Sequence, residues 1–175
     1  SLSNSASIII KKRTQFLKEF IPIFKQRYNQ LSNEKEVVEI EYKTDLEDNL
    51  NLYQILKNNI NKDIRYQYTT KGIHKDDMIF LIDKYSVKKF GSQGQQKTFL
   101  IALKLAQFDY LSKLNKNPIL LLDDIFDKLD DDRVEKIVDL VNEDSFKQIF
   151  ISDTNKKRSE EIIKKVNKSY EIFEI

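Results

Sequence analysis

The chain contains no cysteine, which removes a disulfide framework and any thiolate metal site from consideration. It has no long apolar run: the longest stretches are Ile8-Ile9-Ile10 and Ile119 to Leu122, far short of a bilayer-spanning helix. No secretory signal opens the sequence, and a cytoplasmic setting is expected. Charge of one sign is also missing. Thirty basic residues face twenty-eight acidic ones, a net of +2, so the strongly basic footprint of many nucleic-acid binders is absent, although local patches can still act. Glycine is scarce, with Gly72, Gly91 and Gly94 alone among 175 residues, against a usual share of about 7%. Ser1-Leu2 stands where an initiator methionine would, as in a piece of a longer chain.

What is present suffices for one modest domain with an appendage. Apolar residues make up 40% of the chain and charged residues 33%. From residue 7 to 31, Ile10, Thr14, Leu17, Ile21, Phe24, Tyr28 and Leu31 recur at alternating steps of four and three. That spacing predicts a helix with one packing stripe, interrupted by Thr14 and kinked or split at Pro22. Val38, Ile40 and Tyr42 alternate with charged residues as in a half-exposed strand. A helix is expected over 46–64, with Leu52, Tyr53, Leu56 and Ile60 on one side, then strands at 78–82 and 85–90 joined by Asp83-Lys84.

The helix expected over 95–114 is apolar nearly all round, which predicts burial against a sheet. Ile119 to Leu122 reads as a central parallel strand covered on both faces. Asp132 with Glu135 has the spacing of a helix cap, and Val134, Ile137, Val138 and Val141 form the core side of the helix that follows. A strand at 148–152, a helix at 158–166 and a last strand at 170–175 complete the pattern. The expected organisation is a helical arm over 1–70 and an α/β lobe over 71–175.

Two segments could carry chemistry. Pro118 to Asp124 is an apolar strand ending in Asp123 and Asp124, two carboxylates at the sheet edge where α/β folds bind ligands. In phosphoryl-transfer sites of this layout the first Asp holds Mg²⁺, and the next acidic residue orients or deprotonates water. The plainer alternative is a core strand running into an acidic loop. Ser92-Gln93-Gly94-Gln95 precedes the apolar helix. A helix N-terminus with a Gly beside it can seat an anion, though most such turns are only turns. Lys11-Lys12-Arg13 and Lys156-Lys157-Arg158 could contact DNA phosphates, or could be solvated helix faces.

The order of these elements resembles the C-terminal half of an ABC-type ATPase head of the SMC-like kind. The Ser-Gln-Gly-Gln-Gln turn, the Leu-Leu-Leu-Asp-Asp-Ile-Phe-Asp-Lys-Leu-Asp run and Gly72-Ile-His74-Lys-Asp-Asp77 resemble the RecF family specifically. Ile73 and Lys75 depart from that family's pattern, and Asp124 stands where many relatives have Glu. The likeness is specific over about 72–154 and loose before it. It implies an α/β fold, the C-terminal lobe of an ABC-type head with an N-terminal helical arm, and ATP with Mg²⁺ as cofactors. By the same likeness, Ser92, Gln93, Gly94, Gln95 and Asp130 would contact or couple nucleotide, Asp123 would hold the metal and Asp124 would be catalytic. Asp153 and Thr154 would occupy the switch position, with no His there, and the departures at Ile73 and Lys75 leave a structural role for His74 open.

The implied function is recombinational DNA repair at gapped DNA, by an ATP-dependent homodimer that works with RecO and RecR to help load RecA. The alternatives are another SMC-like ATPase or a non-enzymatic interaction module. A phosphate-binding loop of the form Gly-x-x-x-x-Gly-Lys-Ser/Thr occurs nowhere in the sequence. Negligible ATPase activity is therefore expected of this chain alone.

Overall fold

The computed structural model describes residues 2–32, 36–46, 52–114, 116–124, 126, 129–143, 145–166 and 169–173. Its first element, α1 (Leu2–Ser32), realises the periodic stripe. Leu17, Phe24, Tyr28 and Leu31 are buried, while Thr14 is exposed. The helix is not split at Pro22, which also lies on the exposed side. There, water can serve the carbonyl one turn back that loses its donor.

β1 (Val38–Lys43) pairs antiparallel with β2 (Asp77–Ile82), in a register that sets Val38 opposite Ile82 and Lys43 opposite Asp77. Between them lie α2 (Leu52–Tyr66) and a short 3-10 turn, Ile73–Lys75. The helix expected from residue 46 begins later: Leu46 is buried but non-helical, and 47–51 lie outside the described residues. Tyr53 and Ile60, expected on the packing side of α2, are exposed. Asp83 and Lys84 both take positive φ, 49° and 69°, as a primed two-residue hairpin requires. The strand expected over 85–90 shrinks to β3 (Tyr85–Ser86) and is followed by the single-turn helix α3 (Val87–Phe90). Val87 is drawn into the core by that turn, whereas a continued strand would have carried the run past the sheet.

α4 (Gln93–Lys113) is the apolar helix. The expectation that it lies against a sheet needs correction, because its main partner is α1 and its contact with the next strand is smaller. The α1 stripe and α4 supply each other's missing partner, and Phe24 and Phe99 meet at 4.7 Å between ring centroids. Phe80 of β2 joins Phe99 at 5.3 Å. A buried ring of this kind contributes about 1.5–3 kcal/mol.

β4 (Leu120–Asp123), α5 (Asp131–Val141) and β5 (Ile149–Ser152) form a parallel crossover unit, with Asp123 opposite Ser152. β4 is covered on one face, not two: Leu120 and Leu122 are buried while Leu121 is 62% exposed. Ile119 and Phe150 are also exposed, because the described residues bring no second layer to that face. α5 is capped by Asp130, not by the Asp132 and Glu135 pair. The Asp130 carboxylate accepts from the Arg133 backbone N–H at 2.9 Å, and three successive Asp residues left the capping position open in the sequence. α6 (Lys156–Ile163) follows. No strand forms over 169–173, where Tyr170, Ile172 and Phe173 are exposed, since a strand needs a neighbour to bond.

One large cluster of buried side chains takes members from α1, β1, β2, α4, β4 and α5. The β1–β2 pairing and this core both run across the boundary expected near residue 70.

Candidate nucleotide site

Ser92 begins the site because it caps α4. Its hydroxyl accepts from the Gln95 N–H at 3.2 Å, and the Gln95 side-chain oxygen accepts from the Ser92 N–H at 2.8 Å. This reciprocal box fixes the turn and leaves the first amides of the helix, at Gln93 and Gly94, without intrahelical acceptors. The other end of the Gln95 amide is engaged as well, donating from Nε2 to Glu36 at 2.9 Å. Thr98 extends the order inward by donating to the Gly94 carbonyl at 2.8 Å.

At the carboxyl end of β4, the exposed Asp123 takes a hydrogen bond from the Ser152 hydroxyl on Oδ1. Asp124 adopts φ 48°, a left-handed conformation that turns the chain sharply away from the strand. Its N–H donates to the Ser152 carbonyl at 2.9 Å, and its own carbonyl accepts from Lys97 Nζ. Lys97 lies on α4, one turn beyond Ser92-Gln93-Gly94-Gln95, the signature-like turn. The structure therefore brings the two segments singled out in the sequence to one end of the fold.

Asp130 is the third acidic position. Besides capping α5 it receives Arg133 NH1 at 2.8 Å, and it is about half exposed. The facing loop holds Asp153, which accepts from the Asn155 N–H at 2.9 Å on Oδ1, while its buried Oδ2 has no hydrogen-bond partner among the described residues. Thr154 is exposed.

Other expected residues lie elsewhere. His74 is exposed, with Nε2 at 3.1 Å from the Thr69 carbonyl, and its ring packs on Gly72. The Arg13 guanidinium is taken up within the chain by Asp76 at 2.7 Å and the Ile73 carbonyl at 2.9 Å. Hydrogen bonding with Tyr42 is the main cause that raises its pKa above the ordinary arginine value. Lys11, Lys12, Lys156 and Lys157 are exposed, and the side chain of Arg158 lies outside the described residues. An apolar cleft of about 820 Å³, between the start of α1, α2 and residues 69–74, includes neither Ser92 nor Asp123. Among the described residues, no cluster of three or more His, Asp or Glu is arranged to hold a metal by itself.

No protein-family model matches the chain. Individual relatives do. It is 51% identical over 175 residues to the DNA replication and repair protein RecF of Flavobacterium johnsoniae, covering 99% of this chain and 48% of that protein. The RecF of Phocaeicola vulgatus is 46% identical over 176 residues, again with 99% of this chain and 47% of the relative covered. The chain matches the C-terminal half of RecF. It spans about half the length of the curated relatives it matches.

Its fold agrees with that likeness. Two solved structures of the recombination mediator protein RecF in the RecFOR pathway, RecF-ATPrS and RecF-ATP, align at a TM-score of 0.70. They are 26% and 27% identical in sequence and cover 89% of this chain. The mixed α/β architecture is that of the C-terminal portion of the RecF structures. The RecF-like sequence motifs did not point to Glu36, Lys97 or Arg133, which the fold draws to the signature-like turn and the acidic strand end. Their separations, 59 residues from Glu36 to Gln95 and 27 from Lys97 to Asp124, follow no local period that a sequence could display.

Proposed function

We propose that this chain supplies one face of a composite ATP site in a RecF-type DNA-repair protein of the cytoplasm. The observation that carries the reading is the joining of the capped Ser92 turn to the Asp123-Asp124 strand end through Lys97, in a chain 51% identical to a RecF. In this reading the Ser92 hydroxyl and the Gln93 and Gly94 amides meet the terminal phosphate of a nucleotide held by a second subunit. Gln95 sets the turn that presents them.

The residues at the strand end suit a magnesium ion. Asp123 is an exposed carboxylate with a hydroxyl beside it, and Mg²⁺ commonly takes one or two carboxylates together with substrate phosphates, not an all-protein cage. When bound, the ion would neutralise charge on the transferring phosphate. Asp123 would hold it, Asp124 would position the attacking water, and Asp130 at the tip of α5 would couple the two sites of an ATP-dependent homodimer. The exposed pairs Lys11-Lys12 and Lys156-Lys157 are the DNA-facing candidates. The whole protein would act at gapped DNA, and with RecO and RecR help load RecA.

Complementation tests this. The chain is mixed with a RecF N-terminal half carrying the phosphate-binding loop, and hydrolysis and association are measured with and without ATP. The chain alone should hydrolyse ATP no faster than buffer. The mixture should associate in an ATP-dependent way and hydrolyse, with turnover lost in Asp123→Ala. Hydrolysis by the chain alone that disappears in Asp123→Ala, or a mixture indifferent to ATP, overturns the proposal.

A further inference from the structure

Glu36 precedes β1 and belongs to none of the motifs in the sequence, yet it sits where three parts of the fold meet. One of its carboxylate oxygens accepts from Gln95 Nε2 at 2.9 Å. The other accepts from the hydroxyl of Tyr28, a fully buried residue of α1. Arg133 of α5 comes to 3.9 Å from Glu36 Oε1 through NH2, while its NH1 holds Asp130 at 2.8 Å. The Glu36 side chain is 16% exposed and that of Arg133 is 22% exposed. A continuous polar chain thus runs from Ser92 through Gln95, Glu36 and Arg133 to Asp130.

Its direction of support is set by what each group can still do. Gln95 uses its carbonyl on the Ser92 N–H and its NH₂ on Glu36, so its amide plane is held from both ends. Such a side chain positions the turn and is not left over to bind phosphate. Glu36 in turn is anchored to the core by Tyr28. Arg133 hydrogen-bonds Asp130 through NH1 and faces Glu36 through NH2 at 3.9 Å, an ion-pair separation and not a hydrogen bond, so a shift of α5 relative to the Ser92–Gln95 turn changes an electrostatic contact.

We propose that Glu36 is a positioning residue that fixes the Ser92–Gln95 turn and faces, through Arg133 of α5, the helix cap Asp130. The proposal rests on the reading of that turn as the contact to a second subunit's nucleotide. Glu36 touches no nucleotide in it. Its effect is to hold two elements of one subunit in the relative placement that the second subunit must meet.

The test uses the chain complemented with a RecF N-terminal half, and measures ATP-dependent self-association by sedimentation. Binding of a fluorescent ATP analogue to dilute, unassociated protein gives the second readout. Glu36→Ala with Tyr28→Phe removes the carboxylate without orphaning the phenol. It should weaken ATP-dependent association about tenfold, the worth of about one hydrogen bond, with nucleotide binding by dilute protein unchanged. Glu36→Gln keeps an acceptor for Gln95 and a partner for Tyr28, and should restore most of the association. Arg133→Met should lower association while leaving the turn intact.

Wild-type association in the Glu36→Ala, Tyr28→Phe protein overturns the positioning role. Equal loss of association and of dilute-protein nucleotide binding also overturns it, since that is the mark of general unfolding. Ser92→Arg separates this from the underlying reading. If Ser92→Arg abolishes association while the Glu36 variants do not, the role of Glu36 fails and that of the turn stands. If Ser92→Arg leaves association intact, the reading of the turn fails and the proposal falls with it.

Discussion

Replacing Arg27 by Ala should destabilise the chain by about 3 kcal/mol, a figure that follows from its surroundings. Arg27 leaves α1 toward α4, where Nε and NH2 bind the two oxygens of Asp109 at 2.6 and 3.0 Å. NH1 reaches Glu143 at 2.8 Å and Gln30 at 3.1 Å, and the guanidinium carbon lies 5.6 Å from the centre of the Phe146 ring. Burial alone would lower the pKa of Arg27, but the hydrogen bonds and charges of Asp109 and Glu143 more than offset it and raise it above the ordinary value. Taking one partner from a buried ion pair costs about 3–5 kcal/mol, largely because the other partner is left charged. Side-chain exposures of 19% for Asp109 and 34% for Glu143 let water reach the orphaned carboxylates, which sets the lower end of that range. For a chain of this length such a loss lowers Tm by about 6–12 °C. Urea unfolding of wild type, Arg27→Ala, Asp109→Ala and the double variant would measure it. The double variant should cost less than the sum of the singles by about 1.5–3 kcal/mol. A loss below about 1 kcal/mol for Arg27→Ala, or strict additivity, would refute the reasoning.

Three further outcomes are expected. Gly72→Ala should cost about 1–3 kcal/mol in urea, because φ is +132° and a Cβ would sit 3.1 Å from the His74 ring. Adding His74→Ala should recover the part due to crowding and leave the backbone part. Asp130→Ala should cost about 1 kcal/mol by loss of the α5 cap, whereas Asp130→Asn, a good cap without charge, should change stability by a few tenths. Tyr28 carries a pKa raised from 10.0, first by burial and then by its bond to Glu36. The unfolded phenol ionises first, so this contribution is whole below about pH 10 and is lost as pH rises further. The urea midpoint should therefore fall more steeply above pH 10 in wild type than in Tyr28→Phe.

Much of the fold could be read where a period is tied to one partner. The α1 stripe fell as spaced: Leu17, Phe24, Tyr28 and Leu31 are all buried in one core, and Phe24 and Tyr28 both meet Phe99 of the neighbouring helix. β1 alternated as written because a single face of the sheet is buried. The misreadings share one cause, which is that apolarity records the need for a cover and not its source. α4 is apolar nearly all round and finds α1 as its chief partner, with strands of the sheets contributing less. Ile119 and Leu121 are as apolar as Leu120 and Leu122, yet the described residues cover only the second pair. Exposed Tyr53 and Ile60 on α2 belong to the same case. The missed cap at Asp130 differs: Asp130, Asp131 and Asp132 are chemically equal caps, and only the place where the backbone turns helical separates them.

The candidate site divides along the same line. Ser92 and Gln95 are three residues apart and satisfy each other, so their spacing already contained the capping box. Asp123 and Ser152 each end a strand, and the parallel pairing of those strands sets them side by side. Both relations follow from local geometry or from one sheet register. The link through Glu36 and Arg133 follows from neither. It requires the end of α1 to fix Tyr28, the Asp83 turn to hold Val37 beside Glu36, and the crossover to deliver α5, and the shared core joins these elements. Arg13 makes the point from the opposite side. Beside Lys11 and Lys12 it reads as part of a basic patch, but it is partly buried where they are exposed, and Asp76, 63 residues later, claims its charge. Charge clusters in a sequence are thus divided by the fold into groups that hold it together and groups that remain to meet a ligand. In this chain the division leaves Lys11 and Lys12 to solvent and commits Arg13 to structure.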